Sequence, residues 1–196
     1  MKVSDCRGGG WGYNVWMEQD FARILFPREQ IAGRVKELAR DIAAAYDDKG
    51  HSLVIVSVLS GSIIFLADLI RCLPLKMQLG LITVSRYRGA TTVGGATDLV
   101  VDLRTEIKGK HVLIIDDILD SGGTLRMVVD QLQTRGPASI KVCVLLRKTA
   151  RAPKDFVADF VGFDIEDFFV VGYGLDYNDH YRNWPDIGVL RPELYE

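Results

Sequence analysis

The sequence predicts an α/β protein with a central, mostly parallel sheet flanked by helices. Three observations carry that expectation. Residues 53–59, 111–115 and 140–146 are almost continuously apolar runs of strand length, the pattern of strands covered on both faces. The first two pass through short polar turns into segments with helical spacing. A further helical period precedes the first run, and strands alternating with helices imply parallel order. Ligands in such sheets bind beyond the carboxyl ends of the strands.

Taken in order, residues 1–20 read as irregular, with Trp11, Tyr13, Trp16 and Met17 either docked on the body or carried on a free arm. Residues 27–46 are helical: Ile31, Val35, Leu38 and Ile42 share one face, with Arg34, Lys36, Glu37, Arg40 and Asp41 between them. Pro27 suits the first turn, and Gly50 closes the unit. After the strand at 53–59, Ser60-Gly61-Ser62 turns the chain into a helix over 63–72, which Pro74 ends. Residues 79–85 read as the next strand. Residues 86–100 are rich in Gly and Thr, lack any period, and form a long loop of the kind that is usually functional. A strand follows around 99–103, then a turn at 106–110. Beyond the run at 111–115, Leu125, Val128, Val129 and Leu132 recur at helical spacing. Arg147 and Lys148 sit just at the end of the strand at 140–146. Residues 156–163 and 168–171 are short aromatic and β-branched runs, and the tail over 172–185 is polar and aromatic.

The chain of 196 residues is of one-domain size, with 48% hydrophobic and 26% charged residues. A net charge of −2 offers no broad basic face, which argues against a nucleic-acid partner. Cys6, Cys72 and Cys143 are scattered and form no metal or disulfide pattern, as expected of a reducing, cytoplasmic setting. No secretory leader is evident at the start, and the apolar stretch over 53–70 is broken by Ser60-Gly61-Ser62 and Asp68, so no membrane span is expected.

The turn after the run at 111–115 holds the chemistry. Asp116, Asp117 and Asp120 are followed by Ser121, Gly122, Gly123 and Thr124 at the start of a helix. Glycines permit close approach, the first helical amides lack intrahelical partners, and two hydroxyls add donors, which together make a phosphate cradle. Carboxylates beside it can hold sugar hydroxyls, hold a divalent metal or accept a proton, so a phosphorylated sugar fits. The Gly-Gly-Thr turn alone equally fits plain strand-to-helix punctuation. It is not a Walker A loop, because the Lys before the Thr is missing.

The whole stretch Val-Leu-Ile-Ile-Asp-Asp-Ile-Leu-Asp-Ser-Gly-Gly-Thr-Leu resembles the phosphoribosyl-pyrophosphate (PRPP) motif of the type I phosphoribosyltransferases. Three further places are similar to the hypoxanthine (hypoxanthine-guanine) branch of that family: Val58-Leu-Ser-Gly-Ser62, Leu145-Leu-Arg-Lys148, and Phe169-Val-Val-Gly-Tyr-Gly-Leu-Asp-Tyr-Asn178 with Arg182. The resemblance implies the type I fold with a small hood formed by N- and C-terminal segments. It places an N-terminal extension at residues 1–24 and a single phosphoribosyltransferase domain at 25–196, with about 150–196 contributing to the hood. It implies a magnesium-dependent purine-salvage enzyme that transfers the 5-phosphoribosyl group from PRPP to hypoxanthine, and to guanine as a further substrate, giving IMP or GMP and pyrophosphate. It also implies a homodimer or homotetramer.

Roles carried over by that resemblance are specific. Asp116, Asp117, Asp120, Ser121, Gly122, Gly123 and Thr124 would hold the 5′-phosphate and ribose, with Asp120 also the general base at purine N7. Ser60, Gly61 and Arg182 would meet pyrophosphate, and Leu59-Ser60 is the candidate for a cis peptide. Lys148 would donate to the purine O6, an ammonium being donor-only. Phe169 would stack on the base, Val170 would read its edge through the backbone, and Asp176 would complete the purine side. Asp116, Asp117 and Asp176 would hold magnesium, partly through water or ribose. Arg86 and Tyr87 would lie at the tip of a lid. The chain departs from relatives in having Ser60 where Lys is frequent, Asp116 where Glu is common, Gly123 in place of a Lys, and Arg86 in the position of a lid Ser. Two other readings, a nucleic-acid-binding regulator on the same fold and a nucleotide binder without catalysis, are disfavoured by the charge and by the presence of Asp120, Lys148 and Asp176.

Overall fold

A computed structural model describes residues 15–46, 52–86, 99–101 and 103–195. The expected sheet is present. Its strands are β2 (Leu53–Leu59), β3 (Met77–Arg86), β4 (Leu99–Val101), β5 (His111–Leu119), β6 (Ser139–Lys148) and β7 (Phe160–Ile165), in the order β4-β3-β2-β5-β6-β7. Every neighbouring pair is parallel except β3 and β4. Strand order reverses between β2 and β5, so the carboxyl ends of these two strands flank the crevice where an open α/β sheet takes its ligand.

The apolar runs divide by the two-residue period of a strand. Leu53 and Ile55 of β2, with Leu113 and Ile115 of β5, pack against Ile31, Val35, Leu38 and Ile42 of α2 (Arg28–Tyr46) and against Phe65 and Leu69 of α3 (Ile63–Cys72). Val54, Val56, Val112, Ile114 and Val144 face the other way, onto Leu125, Val128 and Leu132 of α4 (Gly123–Gln133). Each such side chain contributes about 1.5–3 kcal/mol on burial. Coverage on both faces is why β2 and β5 carry no polar alternation.

A second, antiparallel sheet forms the hood: β1 (Phe21–Phe26), β9 (Ile187–Leu190) and β8 (Val170–Val171), in that order. Phe21 packs on Trp184 with ring centroids 5.0 Å apart. The hood docks on the body through Arg28, whose side chain and backbone bond Asp186 at 2.8–3.1 Å, and through the Tyr173 hydroxyl, 2.7 Å from Asp68.

Several expected boundaries shift. Residues 15–18 form a short helix, α1 (Val15–Glu18), where irregular chain was expected. Pro27 precedes α2 instead of lying within it, its carbonyl accepting from Gln30 and Ile31 at 2.9 and 3.0 Å. Gly50 lies outside the described residues. Arg147 and Lys148 are the last two residues of β6, because β7 pairs with them through Asp164 and Ile165. The run expected over 156–163 becomes a strand only from Phe160. Among the described residues no helix is long and apolar enough to cross a membrane.

Candidate active site

The reversal point opens into a cleft of about 350 Å³. Its floor is the end of β5 and the turn into α4, with Asp116, Asp117, Asp120 and residues 121–124 lining it; Leu59 and Gly61 line the β2 side. The residues of the expected cradle therefore line one cleft together. Gly122 is left-handed at φ +75°, and a Cβ there would come 2.8 Å from Pro153 Cγ, so only glycine suits the position. Its carbonyl starts α4 by accepting from Arg126 N at 2.9 Å. No side chain caps this helix, which leaves first-turn amides for an anion. At Gly123 a Cβ would meet nothing within 4 Å.

The carboxylate pair sits behind the cradle. Asp116 is only 7% exposed. Its Oδ1 accepts from Asp117 N at 3.0 Å, and Asp117 Oδ1 accepts from Ile118 N at 2.8 Å. Burial, and then the neighbouring Asp117 charge, push the Asp116 carboxyl well above its ordinary range. Burial also raises Asp117, opposed by its hydrogen bonds and by the Arg182 charge. Two acids crowded out of water in this way suit a partner that supplies hydroxyl donors or a cation.

The β2 loop closes against the pair. Leu59-Ser60 is cis, as expected for this loop, and the Ser60 carbonyl accepts from Ile63 N at 3.2 Å. Gly61 is wedged between two neighbours: a Cβ on it would overlap Asp117 Oδ2, and a Cβ on Gly174 would overlap the Gly61 carbonyl. The hood segment carrying Asp176 and Arg182 is thus in direct contact with the β2 loop.

Comparison with known proteins decides the family. Residues 25–178 match the phosphoribosyl transferase domain family. The hypoxanthine-guanine phosphoribosyltransferase of Bacillus subtilis is 41% identical over 180 residues, covering 92% of this chain and 99% of the relative. The hypoxanthine-guanine-xanthine phosphoribosyltransferase of Tritrichomonas foetus is 37% identical over 91% of this chain and 97% of the relative. A crystal structure of a hypoxanthine phosphoribosyltransferase from Staphylococcus aureus superposes with a TM-score of 0.85 at 40% identity, over 94% of this chain and 99% of that one. The chain belongs to the hypoxanthine phosphoribosyltransferase family.

The remaining positions that the resemblance names lie outside the residues that line this cleft, some on the hood and some on the sheet. On the hood, Arg182 pairs with Asp176 Oδ1 and Asp179 Oδ1, each at 2.9 Å, and its Nη1 donates to the Gly174 carbonyl at 2.9 Å. Val170 is buried in β8, and the Phe169 ring is 37% exposed, stacked on Tyr195 at 4.7 Å. On the sheet, Lys148 is buried at the end of β6, with Nζ 2.8 Å from Asp167 Oδ1 and 3.6 Å from Asp120 Oδ2. Asp120 Oδ1 is buried and has no aligned hydrogen-bond donor; Arg151 Nε approaches it at 2.5 Å as an ion pair without hydrogen-bond alignment. Asp167 and Arg151 had no signal in the sequence beyond their charge. Arg86 ends β3, but its side chain and all of Tyr87 lie outside the described residues.

Asp116, Asp117 and Asp176 do not gather into one metal cage: among the described residues no three acidic, His or Cys side chains stand close enough to hold an ion. The donors are nonetheless hard oxygens beside a cleft. That suits magnesium, which keeps several waters and takes one or two carboxylates plus substrate oxygens.

Proposed function

We propose that this chain transfers the 5-phosphoribosyl group from PRPP to a 6-oxopurine, hypoxanthine or guanine, and releases pyrophosphate in purine salvage. The observation that carries the reading is the cleft between β2 and β5. It joins an uncapped helix start, the Asp116–Asp117 pair and Asp120, which stands 3.6 Å from the buried Lys148, at one sheet edge. The bond from C1′ to the pyrophosphate oxygen breaks, a bond from C1′ to purine N9 forms, and the N7 proton must leave.

The chain's own groups fit each need. Residues 121–124 hold the 5′-phosphate, with Gly122 and Gly123 letting it approach the amides. Asp116 and Asp117 accept from the ribose hydroxyls, which relieves the crowding of the two acids. Asp120 takes the N7 proton on Oδ2, since Oδ1 is buried against Arg151 and Lys148 Nζ stands 3.6 Å from Oδ2. Lys148 donates to O6 and so prefers an oxopurine to adenine. Phe169 stacks on the base, and Val170 reads its edge through the backbone. Ser60, Gly61 and Arg182 face the pyrophosphate, a planar guanidinium matching that anion. Magnesium would neutralise phosphate charge when bound, and Asp116, Asp117 and Asp176 would hold it, partly through water or ribose. The enzyme is read as cytoplasmic and as a homodimer or homotetramer.

The test is pyrophosphate release from PRPP in the presence of magnesium and a panel of bases. Release with hypoxanthine and guanine but not adenine is expected. Absence of release with every 6-oxopurine would refute the assignment.

A further inference from the structure

Four charged side chains close a ring where β5, β6 and β7 end. Each carboxylate divides its two oxygens between the same two cations. Asp120 offers Oδ1 to Arg151 Nε at 2.5 Å and Oδ2 to Lys148 Nζ at 3.6 Å. Asp167 offers Oδ1 to Lys148 Nζ at 2.8 Å and Oδ2 to Arg151 Nη1 at 3.5 Å.

Backbone bonds hold this ring in register. Arg151 N and Ala152 N both donate to the Lys148 carbonyl, at 3.1 and 2.8 Å, and Thr149 N donates to the Ile165 carbonyl at 3.1 Å. The turn that carries Arg151 is therefore built on the residue whose side chain sits opposite it in the ring.

We propose that Arg151 is the positioning residue for Asp120, holding the carboxylate so that it faces the purine N7 proton. This rests on the reaction proposed above. Asp120 lies in the turn after β5, and none of its oxygens accepts a backbone amide, unlike those of Asp116 and Asp117. Its orientation has to come from side chains. Lys148 is the weaker candidate, because its short contact is with Asp167 and its remaining donors are assigned to O6. Arg151 makes the close approach. A guanidinium is also permanently charged and donor-only, so it orients the acceptor without taking the proton itself. A base delivers its rate contribution only when its lone pair meets the proton in line, and small misplacements are costly.

The experiment measures single-turnover nucleotide formation from PRPP and hypoxanthine, together with the KM of each substrate. Arg151→Ala should slow the single-turnover rate on the order of 10- to 100-fold with both KM values unchanged. Added guanidinium chloride should restore part of the rate, whereas ammonium chloride at equal ionic strength should not. Arg151→Lys, a point charge in place of a fork, should fall between. Lys141→Ala, which removes the ion pair to Asp159 at the other end of β6, should keep the native rate. If Arg151→Ala does not fold, Arg151→Gln takes its place under the same outcomes. A native rate in the variant overturns the proposal. So does a loss confined to KM, or a loss that guanidinium leaves unrepaired. A native enzyme without turnover overturns the reaction itself, and this proposal with it.

Discussion

Replacing Gly174 by Ala separates a rigid joint between hood and sheet from a loose one. Gly174 has φ +104°, a region that residues with a Cβ rarely adopt, and its missing Cβ faces the Gly61 carbonyl oxygen inside van der Waals contact. Both neighbours are backbone, so no side chain can swing away. Holding alanine at that φ costs about 1–3 kcal/mol, and overpacking against a fixed carbonyl costs about 1–3 kcal/mol more. The variant should lose about 2–6 kcal/mol of stability. For a domain of this size that lowers Tm by roughly 2–4 °C per kcal/mol, so a fall on the order of 10 °C is expected. The loop at Ser60 and Gly61 must also shift relative to Asp117, and a displacement of about 1 Å at a reacting centre can cost on the order of 100-fold in rate. A thermal melt and a pyrophosphate-release assay on the same preparation measure both. Native Tm together with native turnover would refute the joint.

Other outcomes follow from the same geometry. Gly123→Val should fold normally, since its position is open, yet weaken PRPP binding sharply; Gly122→Val should instead unfold at lower temperature, because φ is +75° and Pro153 is in the way. Equal Tm values for the two would contradict this. Lys148→Ala should raise the hypoxanthine KM about 10- to 100-fold, the worth of a charged hydrogen bond, and an unchanged KM would remove the O6 contact. Asp120→Asn should cut the single-turnover rate by about 10²–10⁴-fold with PRPP affinity retained; a native rate would exclude it as the base. Burial and the Asp117 charge raise the Asp116 carboxyl, so the native state keeps a proton that the unfolded chain releases. Stability without PRPP or magnesium should therefore fall as pH rises from the ordinary carboxylate range through that raised value. Asp116→Asn should flatten the fall while weakening PRPP binding, and identical Tm profiles against pH would count against the pair.

The parallel sheet was legible because β2, β5 and β6 are covered on both faces and so are mostly apolar, with Ser57, Asp116 and Lys148 as their buried polar exceptions. The hood strands were not. Phe21-Ala-Arg-Ile-Leu-Phe is half-exposed and irregularly paired, with register shifts against β9, so it shows no two-residue period. β8 spans only Val170–Val171, too short for any pattern. The cradle could be read because it lies within one continuous stretch, Asp116 to Thr124. Arg151 and Asp167 escaped notice for the opposite reason. Each is an ordinary surface charge in its own segment, and only the pairing of β6 with β7 brings Asp167 to Lys148. Gly174 shows the same limit: its need for glycine comes from the Gly61 carbonyl, which is remote in sequence.

On the reading proposed above, Arg182 would meet its anion already engaged. Asp176 and Asp179 share its Nη2, and the Gly174 carbonyl accepts from its Nη1, each at 2.9 Å. With pyrophosphate as its partner, capture becomes an exchange of acceptors, and the guanidinium returns to its own carboxylates when the anion departs. Binding by exchange gives up affinity that a bare arginine would supply, and it lowers the barrier to dissociation by the same contacts. On that reading the loop that receives the leaving group also releases it, which favours repeated turnover over tight product binding.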